Sequence, residues 1–219
     1  MYLPGGGFSS AIKFLGENRR RYVADAIADA KAAIRFLRVH ASEYHLDPSH
    51  LGVWGESAGG YLAAMVGVTN GMARFEPSGT GPSTRVQAVV DVFGLSDLTK
   101  IGADYDAANQ AAHRSPSITE ATFVNGKDSG RTILDDLAEA RRANPISYVD
   151  AHDPPFLLLH GSRDGLVSPS QTARLRRALA ANGVPVTRYV VEGAGHAGPE
   201  WSTAPIMRLI VAFLAAKLH

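Results

Sequence analysis

Residues Gly55-Glu56-Ser57-Ala58-Gly59 follow directly on the apolar run Leu51-Gly52-Val53-Trp54, and Gly60-Tyr61-Leu62-Ala63-Ala64-Met65-Val66 continue with helical character. A Gly-x-Ser-x-Gly pattern between a strand-like and a helix-like segment constrains this chain more than any other feature. It requires a sharp strand-to-helix turn that pushes the serine hydroxyl out of the sheet. Small residues two before and two after the serine let strand and helix approach without a Cβ clash. In a random loop the same five residues would be a Gly/Ser turn and nothing more, so the rest of the chain must supply the context.

That context is an alternation of strand-like and helix-like segments. Leu51–Trp54, Val86–Phe93, Phe156–His160 and Thr187–Glu192 read as strands, mostly continuous apolar runs suited to burial on both faces. Ile27, Ala30, Ile34, Leu37, Ala41 and Tyr44 form one amphipathic stripe, which predicts the first helix. Ser168 as N-cap, Pro169 at the first helical position and Gln171 three residues after the cap open another, which stops at Asn182-Gly183 with Pro185 beyond. A last helix carries Ile206, Leu209, Ile210, Phe213 and Leu214 on one face. The expected fold is α/β, three-layered, with a mostly parallel sheet and helices on both faces. A length of 219 residues fits one domain spanning 1–219. Residues 69–84 read as a surface loop. Residues 98–143 are longer than a simple crossover needs and are expected to form a lid or pocket wall.

Composition narrows the function classes. A net charge of +1 gives no nucleic-acid footprint, and the short run Arg19-Arg20-Arg21 reads as a solvated helix face. No apolar stretch approaches the roughly 20 residues that span a bilayer. With no Cys there is neither a disulfide framework nor a thiolate metal site. No secretory leader is visible, and together these features favour the cytoplasm.

A serine nucleophile needs a base, and the base needs an orienting acid. Asp164 lies in the loop after the strand Phe156–His160, and His196 lies in the loop after the next strand, within Gly193-Ala194-Gly195-His196-Ala197-Gly198. The order Ser, Asp, His is that of α/β hydrolases. In an open parallel sheet the C-terminal strand ends face one crevice, so Ser57, Asp164 and His196 are expected to meet there. Taken singly, Asp164 would be a turn residue and His196 a solvated loop histidine; the joint pattern is what carries the reading. His160 ends a strand and is expected to shape the acid loop. The tetrahedral intermediate of such chemistry needs N–H donors. The amide of Ala58, at a helix N-terminus, is one candidate. The glycine-rich Tyr2-Leu3-Pro4-Gly5-Gly6-Gly7-Phe8 offers the second.

With these residues assembled, the chain resembles the esterase/lipase part of the α/β-hydrolase superfamily, in its bacterial acetyl/feruloyl-esterase-like and hormone-sensitive-lipase-like branches. The matching stretches are Gly5–Phe8, Ala28–Leu37, Leu46–Gly60, Arg85–Asp91, Asp153–Gly161 and Gly193–His196. The resemblance implies Ser57 as nucleophile, Asp164 as acid, His196 as base, and Gly6, Gly7 and Ala58 as oxyanion donors. It implies esters as substrates; the expected reaction runs through an acyl-enzyme with no metal or organic cofactor, and the shortened N-terminal region suggests an open, shallow site for small esters. Two departures stand out. Pro4 replaces the family's His ahead of the glycines. Between Phe8 and the helix around Ile27, where the family has a strand, residues 9–24 read as polar and helical. The reduced sheet exposes a new edge beside Met1–Leu3, and a homodimer or larger assembly is expected across it. Two rivals remain: a peptidase of the prolyl-oligopeptidase type, and a non-catalytic scaffold on the same fold.

Overall fold

The structure is a computed structural model that describes residues 1–8 and 22–219. The basic run 19–21 and most of the stretch 9–24 lie outside the described residues. Among the described residues five parallel strands form one sheet in the order β1 (Tyr2–Leu3), β2 (Gly52–Glu56), β3 (Ala88–Val92), β4 (Phe156–Gly161), β5 (Val186–Val191). Neighbours pair in sequence order, with Tyr2 beside Trp54, Gly52 beside Ala88, Val89 beside Phe156 and Phe156 beside Val186. Each connection is therefore a crossover, and every strand delivers its C-terminal end to the same side.

Alternation along the strands splits the core in two. Val53, Val89, Phe156 and Leu158 face one layer, where they meet α1 (Tyr22–Val39), α2 (Ala58–Val68) and α6 (Ser170–Ala181) through Ile27, Ile34, Met65, Leu175 and Leu179. Val90, Val92, Leu157 and Leu159 face the other, against Trp201 of the turn Pro199–Ser202 and Ile210 of α7 (Ala204–Lys217). Burying one such side chain contributes about 1.5–3 kcal/mol, so the two-sided strands are the main source of cohesion. α2 is apolar all round, as a helix enclosed on every side must be.

The segment 98–143 holds α3 (Ala107–His113), α4 (Thr119–Asn125) and α5 (Leu137–Arg142). Two buried amides hold its ends, Asn144 joining one end to the other and Gln171 tying the start to α6. Gln171 Oε1 accepts from the Ser96 and Asp97 amides, and Asn144 Oδ1 accepts from the Leu98 amide. The loop 69–84 is tied down by cations spaced along α1. Lys31, fully buried, donates to the Thr69 carbonyl at 2.5 Å and to Glu76 at 2.9 Å, while Arg35 reaches the carbonyls of Pro77, Ser78 and Gly79.

Two helix boundaries differ from the sequence expectation. α1 ends at Val39, and the chain continues in turns that close with His45 in the left-handed region, so Tyr44 is exposed rather than part of the stripe. α6 begins at Ser170 with Pro169 as its cap residue; Ser168 Oγ instead accepts from the Ser170 amide at 3.2 Å. Gln171 looks into the core and not back at the cap. Among the described residues no helix is long and apolar enough to cross a membrane.

Candidate active site

Ser57 sits where β2 turns into α2, with φ 55° and ψ −120°, a backbone position that a side chain adopts only under constraint. The constraint is visible on both sides. The Ser57 amide donates to the Val92 carbonyl at 2.9 Å, and its own carbonyl accepts from the Tyr61 amide at 2.9 Å. A Cβ on Gly55 would fall 2.1 Å from the Gly59 carbonyl oxygen, and one on Gly59 would fall 2.0 Å from that of Leu3. The two glycines of the motif are thus required by sterics, one for the turn itself and one for the seat of β1 upon it.

His196 Nε2 lies 2.9 Å from Ser57 Oγ, and His196 Nδ1 lies 2.8 Å from Asp164 Oδ2. The three residues singled out by motif and order are therefore brought together. Asp164 is almost completely buried. Its Oδ1 accepts from the Leu166 and Val167 amides, both at 2.9 Å, and its Oδ2 accepts from His160 Nε2 at 3.1 Å as well as from His196. Burial alone would raise its pKa; hydrogen bonds from His160 and His196, then from the Val167 amide, outweigh that and hold the carboxyl well below the usual range.

The loops that hold Asp164 and His196 brace one another. Ser162 Oγ accepts from the Gly193 amide at 2.8 Å, and the Arg163 amide donates to the Ala194 carbonyl at 2.9 Å. The His196 ring packs against Phe93 with centroids 4.6 Å apart, and Phe93 meets Trp201 at 4.8 Å. Trp201 Nε1 in turn donates to the Gly195 carbonyl.

The glycine-rich segment lies on the serine turn. A Cβ on Gly5 would sit 3.2 Å from the Glu56 carbonyl oxygen and 3.4 Å from Ser57 Cβ. Gly6 and Gly7 have φ of 143° and 56°, conformations open to glycine. Gly7 borders Thr119 of α4, and Phe8 stacks on Phe123 of the same helix at 4.4 Å. The first amide of α2 belongs to Ala58, beside Ser57.

Sequence reasoning missed Phe93, Trp201 and Tyr105. Tyr105, in the 98–143 segment, donates to the Asp164 backbone carbonyl at 2.9 Å. The only sequence signal for Phe93 is its place at the end of a strand beside the serine turn. A recess of about 300 Å³ is lined by Tyr2, Trp54, Glu56, Gly198, Trp201 and Met207, and none of Ser57, Asp164 and His196 lines it. A larger groove of about 1330 Å³, lined in part by Asp25, Arg74, Glu139 and Arg142, includes none of Ser57, Asp164 and His196.

Comparison with known proteins agrees with this architecture. The BD-FAE family model matches residues 11–179, a stretch that contains Ser57 and Asp164 and stops short of His196. Over 153 residues the chain is 33% identical to the probable carboxylic ester hydrolase LipM of Mycobacterium tuberculosis, covering 68% of this chain and 32% of LipM. It is 30% identical over 172 residues to esterase LipQ of the same organism, covering 78% of this chain and 38% of LipQ. The chain thus spans 32% and 38% of the lengths of these two curated relatives. Among solved structures, a truncated carbohydrate esterase from gut microbiota superposes with a TM-score of 0.78 at 28% identity, covering 94% of this chain and 70% of that one. Esterase 2 of Thermogutta terrifontis, at 22% identity, shares the fold with a TM-score of 0.73 over 98% of this chain and 82% of its own. The chain belongs to the BD-FAE family and has the α/β-hydrolase fold.

Proposed function

We propose that this chain carries the site of a serine carboxylic-ester hydrolase. The observation that carries the reading is the unbroken hydrogen-bonded line from Asp164 through His196 to Ser57, at 2.8 and 2.9 Å. In this mechanism His196 Nε2 takes the Ser57 hydroxyl proton as Oγ attacks the ester carbonyl. Asp164, held ionised, stabilises the imidazolium that results. The amides of Gly6, Gly7 and Ala58 are the donors proposed for the oxyanion. His196 then protonates the departing alcohol, and water repeats the attack on the acyl-enzyme with His196 as base. Names of relatives support ester hydrolysis. Residues 98–143 are proposed as a pocket wall, because Tyr105 and Phe123 fasten that segment to the acid loop and to the glycine-rich segment.

Ser57→Ala is expected to lower kcat on p-nitrophenyl acetate by a factor on the order of 10⁵ and to abolish labelling by a fluorophosphonate probe. Hydrolysis that survives the substitution would overturn the mechanism, and a wild-type chain that neither labels nor hydrolyses would favour the scaffold reading. An ester chain-length series reports the acyl preference. Self-association across β1, which pairs only with β2 among the described residues, is a proposal that light scattering tests.

A further inference from the structure

One carboxylate here serves two imidazoles. Asp164 Oδ2 accepts from His196 Nδ1 at 2.8 Å and from His160 Nε2 at 3.1 Å. An oxygen can accept both bonds, but a single negative charge balances a single imidazolium. Acyl transfer as proposed above requires that imidazolium to form on His196. His160, fully buried beside the same oxygen, is a competitor for the charge unless something keeps it neutral.

The surrounding hydrogen bonds supply that something. His160 Nε2 faces two acceptors, Asp164 Oδ2 and the Val167 carbonyl at 2.9 Å, so Nε2 carries a proton. His160 Nδ1 lies 3.0 Å from Thr172 Oγ1. That contact has two forms: the hydroxyl donates to a bare Nδ1, which makes His160 neutral, or it accepts from a protonated Nδ1, which makes His160 a cation. Thr172 Oγ1 also lies 2.9 Å from Arg188 Nε, a group that can only donate. Among the described residues the other acceptor within reach of the hydroxyl proton is the Pro169 carbonyl, the longer contact at 3.4 Å, and that carbonyl already accepts from the Arg188 guanidinium at 2.8 Å and from the Ala173 amide at 3.4 Å. The Thr172 proton is thereby directed at His160 Nδ1. The positive charge of Arg188, at the outer end of this line, opposes a second cation at its inner end.

We propose that Arg188 and Thr172 are positioning residues that hold His160 in its neutral, Nε2-protonated form, so that the charge of Asp164 is left to His196. The consequence for rate rests on the esterase reading; the protonation pattern does not. Other charged and titratable groups around this cluster have partners elsewhere. Asp104 takes hydrogen bonds from Ser168 and Ser170 and lies 3.7 Å from Arg174, Tyr105 donates to the Asp164 backbone carbonyl, and Glu200 accepts from the Gly195 amide. Arg176 acts on Arg188 as a like charge.

The test uses histidine labelled with nitrogen-15 in the full chain, with Arg188→Met and Arg188→Lys as variants. In the wild type the His160 resonances are expected to show a bare Nδ1 and a protonated Nε2 at neutral pH. In Arg188→Met the Thr172 hydroxyl is freed to accept, and a population protonated at His160 Nδ1 that the wild type lacks is expected to appear. In that variant kcat/KM on p-nitrophenyl acetate is expected to fall about tenfold, about 1.4 kcal/mol of transition-state stabilisation, at the acid end and little at about pH 8. Arg188→Lys, which keeps a donor and a charge, is expected to restore both signals. A purely structural Arg188 would lower the melting temperature without protonating Nδ1 or tilting the pH profile. A wild-type His160 protonated at Nδ1 at neutral pH, or an Arg188→Met variant with unchanged nitrogen signals and profile, would overturn the proposal. The nitrogen measurement needs no turnover, so failure of the esterase reading would show separately, as hydrolysis that is absent or that survives Ser57→Ala.

Discussion

At the scale of single residues, the site concentrates constraint. Among the described residues, five other than glycine have positive φ, and four of them, Phe8, Ser57, Phe93 and Ala197, lie in or beside the segments that frame the serine. Such positions cost about 1–3 kcal/mol each and persist only where the surroundings over-determine them. Asp164 shows the same economy in its hydrogen bonds, with four donors converging on two oxygens. Replacing it by Asn keeps the shape and removes the charge. The amide cannot accept from His196 and His160 and still place its own N–H groups, so His196 loses the tautomer that leaves Nε2 free to take the serine proton. Asp164→Asn is expected to lower kcat by about 10³–10⁴ with little change in KM, read from steady-state kinetics on p-nitrophenyl acetate. A loss under tenfold would mean that Asp164 does not orient the base.

At the scale of elements, strand ends were legible in the sequence and the links between distant segments were not. Phe156–Gly161 and the loop holding Asp164 could be read because an apolar run followed by Asp-Gly is a local signal. The serine turn could be read because its glycines are required within five residues. Gln171 illustrates the opposite case. Its position after Ser168-Pro169 matched a capping pattern, yet the structure uses it to hold Ser96 and Asp97, 75 and 74 residues away in sequence. Nothing periodic announces a side chain that binds the backbone of a remote loop. Tyr105 on the Asp164 carbonyl and Phe123 on Phe8 are of the same kind. The Phe8–Phe123–Tyr61 cluster gives this layer a test, since it joins the glycine-rich segment, α4 and α2. Phe123→Ala would leave a cavity among buried rings and is expected to destabilise the fold by about 3–5 kcal/mol in urea unfolding. Phe123→Leu, which retains volume, is expected to cost much less stability, and any fall in kcat that it causes reports on the placement of Gly6 and Gly7.

At the scale of the whole molecule, two buried carboxyls set how stability depends on pH. Asp91 lies in β3 against the serine turn, fully buried, with Oδ1 accepting from the Gly94 amide at 2.8 Å and Oδ2 without a partner among the described residues. Burial, opposed only by that amide, pushes its pKa up to about 7. Asp153, 8% exposed in the loop before β4, is pushed up to about 7 by burial, opposed by the Asp150 amide. In the unfolded chain both revert to about 3.9. Between that value and 7 the folded state holds protons that the unfolded state has released, so stability is highest at the acid side of the window and falls as pH rises through it. Asp164 works in the other direction, because its depressed carboxyl contributes stability above the unfolded value and loses it only at lower pH. Across the window, one proton held by the folded state alone changes stability by about 1.4 kcal/mol for every step of one in pH. Urea unfolding at intervals from about pH 5 to about pH 8 is expected to show a falling midpoint in the wild type and a flatter one in Asp91→Asn, which cannot ionise. Asp91 is the more enclosed of the two, so its replacement should remove the larger part of the slope. A midpoint that rises across this range would mean that both carboxyls are ionised and satisfied inside the fold, and that the serine turn rests on a buried charge.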